Sequence, residues 1–213
     1  FDCSLAHVGG SPEALANIRT WGTKDLDQFA NSGSYHRISS RYAPHNVYTS
    51  IAELNQLEAK KGYGASNFSG FARKADTASK APNSGSINMA ISGAYYNTHY
   101  DYNAGTNSYN RSEGGAGHMS LHKDGTQVLI TPKVVIAMVM QYGLAADHHS
   151  QYNVVGSGQA FIFQDGITIP ATWAKTDIKK QITFTDATGK AIKLNAGQTW
   201  ITALGAASQV TYK

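Results

Sequence analysis

Two rhythms of apolar and polar residues divide this chain. In its first third the apolar positions recur at helical spacing, Leu15 with Ile18 in one stretch and Ile51, Leu54 and Leu57 in another. Such positions share one face of a helix. Each stretch carries start signals. Ser11 offers a side-chain acceptor to the first turn, Pro12 suits the first helical position, and Glu13 complements the positive helix end. Asn46-Val-Tyr-Thr-Ser50 leads into the second helix, whose outer face carries Glu53, Glu58, Lys60 and Lys61 and which stops at Gly62. Ahead of the first helix, residues 4 to 8 read as a short buried strand, so the chain opens as a βα unit. Asp25-Leu-Asp27 through Phe29 reads as a turn or short helix, and Tyr35 to Ile38 as a strand.

Between Gly64 and Gly85 the periodicity dissolves into Ser, Asn, Lys and Ala, which predicts a surface connector and a lobe boundary. Beyond it the period becomes two, with strands predicted at 87–91, 95–102, 127–130, 134–140, 159–163, 181–184, 191–194, 199–203 and 210–212. Lys123-Asp-Gly-Thr126, Gln164-Asp-Gly166, Asp186-Ala-Thr-Gly189 and Asn195-Ala-Gly197 supply hairpin turn chemistry. Val134 to Met140 is apolar throughout, which predicts a strand buried on both faces, in a sheet covered by helices or by a second sheet. The expectation is an α+β protein with an α/β N-terminal lobe over 1–85 and a β-rich C-terminal lobe over 86–213.

Composition narrows the class. A 41% hydrophobic content over 213 residues is enough for a core, while only 15% of residues are charged, against about 25% in an average soluble domain. That balance is typical of exported β-rich proteins. The longest apolar run, Val134 to Met140, is far short of the roughly 20 residues a membrane helix needs. The net charge of +4 suits an anionic partner, but the 18 basic residues are dispersed and cluster only as the pairs Lys60-Lys61 and Lys179-Lys180. No basic stripe with interleaved aromatics points to nucleic acid. The single cysteine, Cys3, excludes an internal disulfide and reads as a buried strand thiol.

Candidate chemistry is sparse. Gly9-Gly-Ser-Pro12 stands where a strand meets a helix N-terminus, which makes Gly10 and Ser11 candidates for anion binding, with a plain tight turn as the rival reading. Arg41-Tyr-Ala-Pro-His-Asn46 gathers a guanidinium, an imidazole and an amide beside a rigid proline. Arg41, His45 and Asn46 fit a carboxylate or phosphate, with an Arg41 salt bridge and a helix cap by Asn46 as the rival reading. Tyr100, Asp101, Tyr109 and Arg111 form a second polar group on a hairpin, with Asp101 and Arg111 as a candidate ion pair. Trp173 and Lys175, two apart on an extended segment, share a face suited to a sugar or an acidic group, with core packing as the alternative for Trp173. The eight histidines, including His118, His122 and the pair His148-His149, lack the spacing of a zinc site. Neither a nucleophile elbow nor a phosphate loop is present, and Gly156-Ser-Gly158 lacks the third glycine of a dinucleotide fingerprint. No cofactor is implied.

Five elements in order carry a family resemblance: His7-Val-Gly-Gly-Ser-Pro12, Arg41 to Ser50, Tyr100-Asp-Tyr102 ahead of Tyr109-Asn-Arg111, Gly156 to Lys175, and Ile182 to Ile201 with Trp200. The chain resembles the DUF3048, or YerB-like, family of bacterial lipoproteins. It departs from the family pattern at Ser120-Leu121, where an acidic residue is usual after His118, and at Pro132-Lys133. The resemblance implies a layered sheet-on-sheet sandwich with helices on one side, an extracytoplasmic location, and a basic segment and lipid-anchor signal upstream of where this chain begins. It carries no established activity. The leading expectation is therefore a non-catalytic envelope domain holding a small polar or anionic ligand, or a cell-wall component, between the two lobes. Any membrane attachment would come through a lipid anchor absent from this chain. Two rivals stand beside it: a cell-wall glycan or peptide hydrolase with His45 or Asp101 as general base, and a protein-interaction module.

Overall fold

The computed structural model describes residues 2–146 and 148–213. The chain divides into two compact units, Phe1–Ser69 with Ile178–Gln181, and Gly70–Asp177 with Ile182–Lys213.

In the first unit, β1 (Ser4–His7) runs into α1 (Pro12–Thr20) and returns as β2 (Lys24–Asp27), which pairs with β1 in parallel from Ser4 opposite Lys24 to His7 opposite Asp27. The helix starts where expected, with the Ser11 hydroxyl accepting from the Ala14 amide at 3.2 Å. β3 (His36–Arg37) and β4 (Val47–Tyr48) form a short antiparallel pair. They precede α2 (Ile51–Lys61). At its start the Ser50 hydroxyl accepts from the Glu53 amide and donates to the Glu53 carboxylate, and Gly62 closes it in the left-handed conformation at φ 69°.

Three expectations fail in this unit. The segment 25–29 was expected to be a turn or helix, yet Lys24–Asp27 is a strand. Leu26 alone among its side chains is buried, and the acidic neighbours on either side hide the period of two. Residues 4–8 are not a buried strand, since Leu5 and Val8 are each 40% exposed; a two-stranded sheet has no interior strand to bury. Cys3 lies ahead of β1 as an exposed free thiol.

The second unit begins with β5 (Arg73–Lys74), β6 (Ser86–Met89), β7 (Thr98–Asn103), β8 (Ser108–Glu113) and β9 (Ala116–Gly117). Two exposed hairpins follow or flank the centre: β10 (Met119–Leu121) with β11 (Gln127–Leu129), and β13 (Tyr142–Leu144) with β14 (Ser150–Tyr152). Between them runs β12 (Val134–Val139), and then come β15 (Gly156–Gln164), β16 (Ile167–Lys175), β17 (Thr183–Thr185), β18 (Leu194–Asn195), β19 (Thr199–Leu204) and β20 (Val210–Tyr212). One five-stranded sheet has the order β17-β16-β15-β12-β19 and the other β20-β6-β7-β8-β9.

The apolar run occupies the inner strand predicted for it. On one face Val135 and Ala137 join Phe163, Leu204, Tyr100, Tyr109, Ile87 and Met89 in the core between the sheets. On the other, Val134, Ile136 and Met138 pack with Ile162, Trp173, Phe184 and Leu194. Each of the Val, Ile, Leu, Met and Phe side chains among them contributes about 1.5–3 kcal/mol by burial. The fold is thus α+β with sheet-on-sheet layering, and both described helices belong to the first unit. Neither is long and apolar enough to cross a membrane.

Candidate functional site

The first unit holds a cavity of about 540 Å³ lined by Asp2, Lys24, Asn67, Phe68, Lys179 and Lys180, with Ala65 and Gln181. Lys24 builds its wall. Its ammonium donates to the carbonyls of Asp2, Gly64 and Ala65 and lies 3.0 Å from Asp2 Oδ1. The other Asp2 oxygen accepts from the Asn67 amide at 2.7 Å and from its side chain at 2.9 Å. These donors hold the Asp2 carboxyl below its usual range, the Asn67 backbone amide most strongly and Lys24 next. One aspartate and three lysines in the lining make it net cationic.

A second cavity of about 270 Å³ shares Asp2, Lys24 and Lys179 with the first and is otherwise walled mainly by Cys3, Leu5, Trp21 and Ile178. It sits at the leading ends of β1 and β2 and the trailing end of α1. Trp21, like Leu5, is 40% exposed.

The residues singled out from sequence scatter among several roles. Arg41 and His45 are exposed in the first unit beside Tyr42, which is 94% exposed. Asn46 accepts from Arg37 at 2.7 Å and donates to the Ile38 carbonyl at 3.1 Å, fastening β3 to β4. Ser11 caps α1, with Gly10 exposed beside it. The remaining candidates belong to the second unit.

Tyr100 and Arg111 do come together. They face each other across β7 and β8, Arg111 Nε donating to the Tyr100 hydroxyl at 3.3 Å. The guanidinium lies 4.3 Å from the Trp200 ring centroid and donates to Glu113 at 2.9 Å. The expected pairing of Asp101 with Arg111 does not form. Asp101 stands opposite Asn110 in the register, so its side chain points to the other face, where it lies 3.0 Å from His99. Burial raises the Tyr109 phenol strongly, and its oxygen accepts from the Gly166 amide at 3.2 Å. Trp173 is a core residue whose indole donates to the Val139 carbonyl at 2.8 Å. Lys175 is buried at the end of β16, opposite Gly156. Among the described residues no cluster of three His, Cys, Asp or Glu side chains could hold a metal ion.

The cavity-lining residues went unrecognised in the sequence except as composition. Lys179-Lys180 is visible there as a basic pair, but nothing local places it beside Asp2 and Asn67. The one readable hint is a basic pair breaking an otherwise strand-rich stretch.

The chain matches the model of the DUF3048 N-terminal domain, of unknown function, over residues 1–64 and that of the C-terminal domain over residues 87–201. The crystal structure of YerB protein from Bacillus subtilis superposes with a TM-score of 0.80 at 18% identity, covering 100% of this chain and 71% of the other. That likeness concerns the fold. No curated protein matches the chain.

Proposed function

The chain belongs to the DUF3048 family of proteins of unknown function, and from that premise we propose that it is an extracytoplasmic, lipoprotein-type domain that binds a small anionic ligand of the cell envelope without catalysis. One observation carries the reading: Lys179 and Lys180 enter the lining of a 540 Å³ cavity already braced by Lys24, Asp2 and Asn67. Ammonium groups in a concave, partly screened site attract an anion more strongly than the same charges on an open surface. Sparse surface charge and the family's lipoprotein resemblance support the envelope setting.

Inorganic phosphate is the probe. Amide resonances of Asp2, Ala65 and Asn67 are expected to shift saturably on titration, with an affinity that falls as salt is added. Lys179→Ala combined with Lys180→Ala removes the shifts, measured at a temperature where the variant is fully folded. Absence of any saturable shift in the parent protein would overturn the reading.

The interaction-module alternative has an observation of its own. Tyr95 and Tyr96 are 85% and 62% exposed on one turn of the second unit, a surface aromatic pair of the kind found at interfaces.

A further inference from the structure

We infer that the ligand is amphiphilic, an anionic group carried on an apolar chain or ring, with the anion in the lysine-lined cavity and the apolar part against Trp21 and Leu5. This rests on the anion-binding reading above and extends it to the neighbouring cavity.

Three observations carry it. The two cavities are adjacent, with Asp2, Lys24 and Lys179 in the walls of both. Beyond the shared residues their chemistry differs, with Lys180 and Asn67 lining only the first and Leu5, Trp21, Cys3 and Ile178 only the second. Finally, β1 leaves Leu5 40% exposed, and α1 leaves Trp21 equally so at its C-terminal cap. Apolar surface kept in water in a concave place is the usual lining of a ligand site.

The helix also sets the direction. The trailing end of α1 is the negative end of its dipole. Trp21 caps that end, with the Trp21 amide donating to the Asn17 carbonyl at 2.9 Å. An anion is disfavoured there and an apolar group is not. Lys179 sits at the junction, since a methyl group placed on Gly22 would lie 3.6 Å from its ammonium.

The test compares inorganic phosphate with monooctyl phosphate held below its micelle concentration, both by calorimetry on the parent protein. Octyl phosphate is expected to bind about tenfold more tightly or better, because burying even two methylenes is worth that much. It also slows alkylation of Cys3, which lines the apolar cavity as the chain's single thiol, whereas inorganic phosphate does not. Trp21→Ala lowers octyl phosphate affinity by about fivefold or more and leaves phosphate affinity unchanged. Equal affinities for the two probes overturn this inference and leave the anion site standing. Failure of both to bind overturns the anion reading with it. Binding to vesicles containing phosphatidic acid without binding of free octyl phosphate overturns the inference in favour of attachment to a membrane surface.

Discussion

Lys74 Nζ lies 2.5 Å from Asp165 Oδ2, joining the connector after the first unit to the two-residue turn of the β15–β16 hairpin. Asp165 occupies that turn in the left-handed conformation at φ 59°, followed by Gly166 at 73°, the dihedral signature of a type I′ turn. Its other oxygen accepts from the side chains of Asn107 and Asn195. The Asp165 and Gly166 carbonyls in turn accept from the Ser79, Asn83 and Ser84 amides, so the connector is tied down along its length.

Asp165→Ala should therefore destabilise the protein by about 3 kcal/mol, because it strands one ammonium and two amides together. The loss is read as a fall in the urea midpoint and faster proteolysis within residues 75–83. Acid has a related effect. Burial works to raise the Asp165 carboxyl, but hydrogen bonds from Asn107, Asn195 and Lys74 outweigh it and the net shift is downward. A carboxyl lowered by folding contributes stability above its unfolded value, near 3.9, and loses it as pH falls through the folded value. Asp165→Asn should flatten that part of the acid-unfolding curve.

His7 behaves in the opposite sense. Burial pulls its pKa down, but the Gly9 carbonyl at 2.9 Å from Nδ1 and Asp25 at 3.0 Å from Nε2 outweigh this and the net shift is upward. Both ring nitrogens face acceptors, and only the imidazolium can donate to both. Asp27 Oδ1, 3.9 Å from Nδ1 and buried without a hydrogen-bond partner, adds to the attraction. The contribution is complete below the unfolded value, near 6.5, and disappears as pH rises through the folded value. The stability difference between parent and His7→Gln should be full below about pH 6 and shrink as pH rises above the unfolded value, measured by urea unfolding.

Gly158→Ala tests how closely the core is packed. A methyl group there would lie 2.6 Å from the Val139 carbonyl and 2.8 Å from the Trp173 indole nitrogen, the two partners of a hydrogen bond. The expected cost is about 1–3 kcal/mol, with a changed Trp173 emission. Gly143→Ala, where nothing lies within 4 Å, should stay within about 0.5 kcal/mol of the parent.

Arg111→Lys should not substitute for arginine. The guanidinium stacks 4.3 Å from Trp200 while reaching Tyr100 and Glu113 at the same time, and a single ammonium cannot keep both the plane and the fork. Arg111→Ala is expected to lose about 2–3 kcal/mol, and Arg111→Lys to recover less than half of it in thermal unfolding.

Local rules made much of this protein legible from its residues alone. Ser11 announced the first helix because a cap acts within one turn of itself, whereas the second helix is capped by Ser50 and not by Asn46, the cap candidate in the sequence. The run Val134 to Met140 announced the inner strand Val134–Val139 because a segment apolar on both faces is stable only where both are covered. Asp165-Gly166 announced its hairpin because few residue pairs accept positive φ. Those signals, together with the ordered motifs, were enough for the α+β class and the family. What local rules cannot supply is which distant side chains meet. Asp101 and Glu113 are equally plausible partners for Arg111 in the chain, and only the register of β7 against β8 turns Asp101 to the other face. Lys179-Lys180 is an unremarkable basic pair until Ile178–Gln181 is folded into the first unit, where it completes a cavity with Asp2, Lys24 and Asn67. Caps and turns are settled by neighbours in sequence, whereas a site is settled by neighbours in space, and the packing that creates those depends on the whole chain at once.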